Sequence, residues 1–337
     1  MDSFHEQMEE YSFTYFEPED MTIKRKIGSG GSGEVYVGTL NVMGDIMDCV
    51  FKKVSKQWKS GINRDVYQSI IDEVAIGHMF MSKSKHLIQF YGYSVDVEDE
   101  VDEEEEDGEE EDEEENVSLY LIMEKTDATI DFSSYLGKGE FWKKLSKQEH
   151  TTSESKTKMC HVMEDETKYW DYIPSVKTKL HLIRQVCLAL QELHSFKVVH
   201  CDLKTPNMLY TGNTIKIIDF GGSQKMNNEK IISGSAGLGT DGYMAKELYD
   251  GWISYQVDIY SLGVCMLEIW FGDIWPSDIE EYDVCRGYVL DYLRLLKKDN
   301  VELHSLIQRC VSTEPNKRPL IKTVLSNLDR IHSTCIY

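Results

Sequence analysis

Apolar and polar residues alternate from Ile23 to Leu40 around a cluster of glycines, and again over Asp48 to Val54. That is the period of a half-buried strand, so these stretches predict a hairpin region and a neighbouring strand. From Asp65 to Met81 the period lengthens: Val66, Ile70, Ile71 and Val74 recur on one face, which predicts an amphipathic helix. Two more strand signals, Leu87 to Val95 and Val117 to Met123, follow. Beyond Lys125 the helical period dominates. Leu180, Ile183, Val186, Cys187, Leu190 and Leu193 form one stripe, and further helical segments are predicted near 255–271, 284–298, 301–311 and 319–331. The layout is α+β, a small β-rich part followed by a larger, mostly helical one, with no internal repeat.

Charge alters this picture in one place. Seventeen of the twenty residues from Asp96 to Glu115 are acidic, so they carry −17 of the formal net charge of −23 and leave the remainder at −6. With almost no apolar residues, residues 96–115 are expected to form a disordered insert, because they cannot bury enough surface to offset their ordering entropy. They either dock basic protein substrates by electrostatic steering or serve as a solubilising loop. A second polar excursion is expected at 146–168. No basic stripe is present, which argues against nucleic-acid binding.

The eight cysteines are scattered, without a Cys-x-x-Cys pair, as in a reduced protein. The longest apolar run, Leu262 to Trp270, is broken by Glu268 and is too short to span a bilayer. The start of the chain has no signal-peptide pattern. No membrane association is expected, and the location is expected to be intracellular, cytoplasmic or nuclear.

Candidate chemistry begins with Gly28, Gly30 and Gly33, a G-x-G-x-x-G in which Gly31 adds freedom. Such a backbone can approach phosphates closely, although a flexible hairpin tip or a dinucleotide fold reads similarly. Strand residues continue after Gly33, and this disfavours the dinucleotide fold, which needs a helix there. Lys52 lies inside the apolar strand Cys49 to Val54, where its charge calls for a partner, and Glu73 on the following helix can supply one. A solvated lysine on an edge strand is the alternative.

The segment His200-Cys-Asp-Leu-Lys-Thr-Pro-Asn207, followed by Asp219-Phe-Gly221, is the most specific. With the glycine loop and its lysine upstream, it resembles the eukaryotic protein kinases over residues 22 to 331. The resemblance implies a bilobal kinase fold, with an N-lobe at 22–124, a C-lobe at 125–331 and tails at 1–21 and 332–337. It implies ATP with Mg²⁺ or Mn²⁺, and protein substrates phosphorylated on Ser or Thr. The loop Ile27, Gly28, Ser29, Gly30, Gly31, Ser32 and Gly33 would cover the phosphates. Lys52, held by Glu73, would contact the α- and β-phosphates, and Asn207 and Asp219 would bind the metal. Asp202 would accept the substrate hydroxyl's proton while Lys204 steadies the transferring group. Val35, Val50 and Leu209 would sandwich the adenine, Met123 would guard the back of its pocket, and Glu124 and Thr126 complete the nucleotide contacts.

Further signatures of the resemblance lie downstream. Gly239 to Glu247 resembles the peptide-docking end of an activation segment, Glu247 is expected to pair with Arg318, and Asp258 would brace the catalytic loop. Lys204 and Thr240 favour Ser/Thr specificity, with dual specificity open. A kinase-fold scaffold with little turnover is the alternative from another class, and a small-molecule kinase a third.

Three positions depart from the family pattern. Cys201 replaces the arginine before the catalytic aspartate, so activity is not expected to require phosphorylation at Ser233, Ser235 or Thr240 through that contact. Lys246 stands where proline is usual. Gly77 replaces a bulky apolar residue one turn beyond Glu73, and the helix is therefore expected to need a partner to steady it.

Overall fold

In the computed structural model the described residues are 13–30, 33–54, 64–79, 84–98, 116–126, 175–211, 214–227, 231–232, 238–272, 274–275 and 282–334. The chain divides into two units, Met1–Asp127 and Ala128–Tyr337. The expected excursion at 146–168, Gly31, Ser32, Ser233 and Ser235 lie outside the described residues.

In the first unit the alternating stretches form one antiparallel sheet. Its strands are β1 (Met21–Gly30), β2 (Gly33–Val42), β3 (Asp45–Val54), β4 (Phe90–Glu98) and β5 (Asn116–Glu124), in the order β1-β2-β3-β5-β4. Period-two alternation gives the sheet two distinct faces. Leu40, Cys49, Phe51, Tyr120 and Ile122 cluster on one, fully or almost fully buried. The pairing register puts Val35 opposite Lys52, Val37 opposite Val50, Val50 opposite Met123 and Lys52 opposite Leu121, so these six residues share the other face. The helix α1 (Arg64–Met79) follows β3 and buries Ile70, Ile71, Val74 and Ile76.

Two sequence-derived boundaries are corrected here. The acidic insert does not begin at Asp96: β4 runs on to Glu98, with Asp96, Val97 and Glu98 paired to Ser118, Val117 and Asn116. Backbone hydrogen bonding, which is indifferent to side-chain charge, extends the hairpin beyond its apolar part. The residues from 99 to 115 lie outside the described residues. Nor is 1–21 simply a tail. Phe13 is buried, Tyr15 bridges Tyr93 in parallel, and Pro18–Asp20 forms a 3₁₀ turn leading into β1.

The second unit is mostly helical: α2 (Val176–Ser195), α3 (Lys246–Tyr249), α4 (Tyr255–Phe271), α5 (Tyr282–Asp299), α6 (Val301–Cys310) and α7 (Ile321–Thr334). Ser175 caps α2 by accepting from the Thr178 amide, and Asn300 caps α6 by accepting from Leu303. Residues 257–270 of α4 are buried at every position, which explains why its sequence is apolar all round rather than striped. The expected C-terminal tail is shorter than 332–337, since α7 continues to Thr334. No described helix is long and apolar enough to cross a membrane.

Short strands carry the loops of interest: β6 (Val198–Val199) pairs with β9 (Gln224–Lys225), and β7 (Met208–Tyr210) with β8 (Ile215–Ile217). β10 (Ile231–Ile232) pairs with β11 (Trp252–Ile253). Among the described residues six cysteines, Cys49, Cys187, Cys201, Cys265, Cys285 and Cys310, are free and buried.

Candidate active site

In the first unit, Lys52 Nζ lies 2.7 Å from Glu73 Oε1, and both residues are buried. A charge in an apolar strand persists because an opposite charge on α1 meets it there. Val35, Val50 and Met123 lie on the same sheet face as Lys52. Gly28, Ser29 and Gly30 end β1, after a register shift at Ile27, and Gly33 opens β2 with φ +131°. A Cβ on Gly33 would stand 2.3 Å from the Lys53 carbonyl oxygen, so only glycine lets β2 begin so close to β3. The Glu124 amide donates to the Gln89 carbonyl and its carboxylate accepts from the Gln89 amide, both at 2.9 Å. Thr126 is half-buried just beyond β5.

In the second unit, Asp202 lies between β6 and the 3₁₀ turn Thr205–Asn207. The Thr240 hydroxyl donates to Asp202 Oδ1 at 2.7 Å, and Asn207 Nδ2 donates to Asp202 Oδ2 at 3.0 Å and to its carbonyl at 2.9 Å. Lys204 Nζ lies 2.8 Å from Asp202 Oδ2 and donates to Thr240 Oγ1 at 2.6 Å. Three polar side chains from two separate stretches of sequence thus converge on one carboxylate.

The loop carrying Asp202 is fixed from below by Asp258 of α4. This fully buried carboxylate accepts from the His200 amide at 2.9 Å and the Cys201 amide at 3.0 Å, and lies 2.8 Å from His194 Nε2. Cys201 adopts φ +65°, and burial pushes its thiol well above the usual range. The position therefore carries no charge with which to grip a phosphate. His200 accepts from the Asp202 amide at Nδ1 (3.3 Å) and approaches the Ile218 carbonyl with Nε2 (3.2 Å), tying this loop to the residue before Asp219. Asp219 also has positive φ, +62°. Leu209 is half-buried in β7. Arg318 pairs with Glu247 as the sequence led us to expect.

The pattern defining the protein kinase domain matches residues 21–328. This chain belongs to the protein kinase domain family. Relatives of the kinase domain include a Dictyostelium discoideum protein described as a probable serine/threonine-protein kinase, 31% identical over 45% of this chain and 37% of its own length. Mitogen-activated protein kinase kinase kinase 12 of Rattus norvegicus is 33% identical over 41% of this chain and 16% of its own. Wall-associated receptor kinase-like 1 of Arabidopsis thaliana is 22% identical over 94% of this chain and 38% of its own. The aligned part of the kinase domain thus spans well under half the length of each.

One group went unassigned at the sequence level. Glu268, which seemed merely to interrupt an apolar run, is a buried carboxylate that accepts from the Tyr243 hydroxyl at 2.6 Å and the Thr205 hydroxyl at 3.0 Å. It joins the turn after Asp202 to the segment after Thr240. A lone acid in an apolar helix was the only available signal, since both partners are distant in sequence.

Proposed function

We propose that this kinase-family chain transfers the γ-phosphoryl group of ATP to Ser or Thr hydroxyls of protein substrates. The observation that carries the reading is the Asp202 carboxylate, oriented by Asn207 and engaged by Thr240 and Lys204. A carboxylate held in this way can receive the proton of an incoming hydroxyl as the new P–O bond forms, while Lys204 offers a cation to the charge on the transferring oxygens. Thr240 supports a Ser/Thr preference because its hydroxyl ties the segment that follows to the catalytic loop. The Dictyostelium relative described as a probable serine/threonine-protein kinase points the same way.

The donor set suits a hard divalent ion. With its amide nitrogen committed to Asp202, Asn207 retains its carbonyl oxygen as a ligand, and Asp219 adds a carboxylate. Among the described residues no group of three or more His, Cys, Asp or Glu converges on a point. Two oxygen ligands suit Mg²⁺ or Mn²⁺, which Asn207 and Asp219 would hold together with the phosphates of ATP. The ion supplies neutralisation of phosphate charge when bound. Lys52, held by Glu73, would position the α- and β-phosphates beneath the Ile27 to Gly33 loop. Val35, Val50 and Leu209 would clasp the adenine, with Met123, Glu124 and Thr126 along its edge.

The test is a radiolabelled ATP assay on a peptide library with phosphoamino-acid analysis. Phosphoserine or phosphothreonine is expected, and Asp202→Asn should lower kcat by about 10²- to 10⁴-fold. Unchanged turnover in that variant, or phosphotyrosine as the sole product, would refute the assignment.

A further inference from the structure

Phe13 to Phe16 precede the family match, which begins at residue 21. Yet they are bound into the first unit through one parallel bridge, Tyr15 to Tyr93, on the outer edge of β4. The Tyr93 amide donates to the Thr14 carbonyl and the Phe16 amide to the Tyr93 carbonyl, each at 2.9 Å. Gly92 makes room for them: a Cβ there would stand 2.2 Å from the Thr14 oxygen and 2.5 Å from the Phe16 ring.

The Phe13 side chain points inward, 5% exposed, against three rings. It stacks on Tyr93 at 6.1 Å, tilts against Phe90 at 6.4 Å and meets His78, in the last turn of α1, edge-on at 6.0 Å. Phe90 in turn fills the space over Gly77, where an added Cβ would come within 2.5 Å of its ring. The missing side chain at Gly77 is thus replaced by a ring delivered from β4, with Phe13 packed behind it. Contacts run unbroken from Phe13 through Phe90 and His78 to the helix that carries Glu73, the partner of Lys52.

We propose that the bridged segment Phe13–Phe16 is a built-in positioning element for α1: it seats Phe90 on Gly77 and so holds Glu73 within reach of Lys52. The sequence led us to expect a partner that steadies this helix; on this proposal the chain supplies one such contact itself. The inference rests on the kinase reading for its catalytic consequence but not for its structural one. An added strand gains backbone hydrogen bonds along a sheet edge and an aromatic anchor in a pocket, the two ingredients of strand addition. Interior packing passes displacement on, because it leaves little slack.

The test uses Phe13→Ala, Phe13→Leu and Gly92→Ala in the full chain, with amide hydrogen exchange read beside kinetics. In Phe13→Ala and Gly92→Ala, exchange across residues 70–79 should accelerate about tenfold while β1 to β3 and α4 keep their protection. The value of kcat should fall about tenfold, in proportion to the population with Glu73 in place. Phe13→Leu should restore both to within about twofold. In a Glu73→Gln background, adding Phe13→Ala should change kcat by no more than about twofold, since the pair it supports is already broken. Unchanged exchange at 70–79, equal loss of protection across the whole sheet, or an additive loss of kcat would each overturn the proposal. A wild-type chain without transferase activity that still shows the local exchange pattern would remove the kinase reading and leave the positioning role standing.

Discussion

Lys179 shows how far one residue can be taken from where its charge is comfortable. It is buried on α2, donates to the Trp270 carbonyl at 2.7 Å near the end of α4, and lies over the Trp270 ring at 5.1 Å. The contact satisfies a helix-end carbonyl that would otherwise be orphaned. Its cost is desolvation of the ammonium, which pulls the Lys179 pKa down from 10.5 to about 8 despite the opposing pull of Asp299. In the unfolded chain the amine holds its proton up to its ordinary value. Between about 8 and 10.5, therefore, the unfolded state binds more protons, and this residue's contribution to stability rises with pH. Thermal unfolding of the wild type and Lys179→Met should diverge across that window, with only the wild type gaining relative stability as pH increases. Parallel pH profiles would exclude the effect. Nothing in the sequence distinguished Lys179 from Lys177, because which side of the α2 stripe meets α4 is decided by tertiary packing.

At the scale of elements, periodicity was sufficient for most of the fold. The helix expected over Asp65 to Met81 is α1 at Arg64–Met79, and the segment near 255–271 is α4 at Tyr255–Phe271. Lys52 with Glu73, and Glu247 with Arg318, were legible because the order of the motifs along the chain carries the information. Illegible were contacts that no motif marks: Phe13 on β4, Glu268 between two hydroxyls, and Phe90 over Gly77. The last reverses an expectation drawn from local preference. Alanine favours an isolated helix over glycine by about 1 kcal/mol. At position 77 the new methyl would press into the Phe90 ring at 2.5 Å, so Gly77→Ala should instead destabilise by about 1–3 kcal/mol. Denaturant unfolding of the variant checks the sign, and a gain in stability would show that the ring can move aside freely.

Over the molecule as a whole, residues 99–115 are expected to be separable from the folded sheet. Strands β4 and β5 are paired out to Glu98 and Asn116, so the ends of the run are already brought together by the ladder. Replacing residues 99–115 with Asn-Gly should therefore give a tight hairpin with unchanged kcat on a neutral peptide and a melting temperature within about 2 °C of the parent. A loss of folded protein would show that the run contributes to the sheet after all. The buried cysteines have a consequence of a different kind. Burial lifts the Cys49 thiol to about 11 and Cys310 to about 12, and the reactive thiolate is scarce at neutral pH in both. One of them sits in the sheet of the first unit and the other at the end of α6 in the second. Alkylation of each sulfur, followed by mass spectrometry, is thus an internal clock: it times the opening of either half separately, without a dye or a tag.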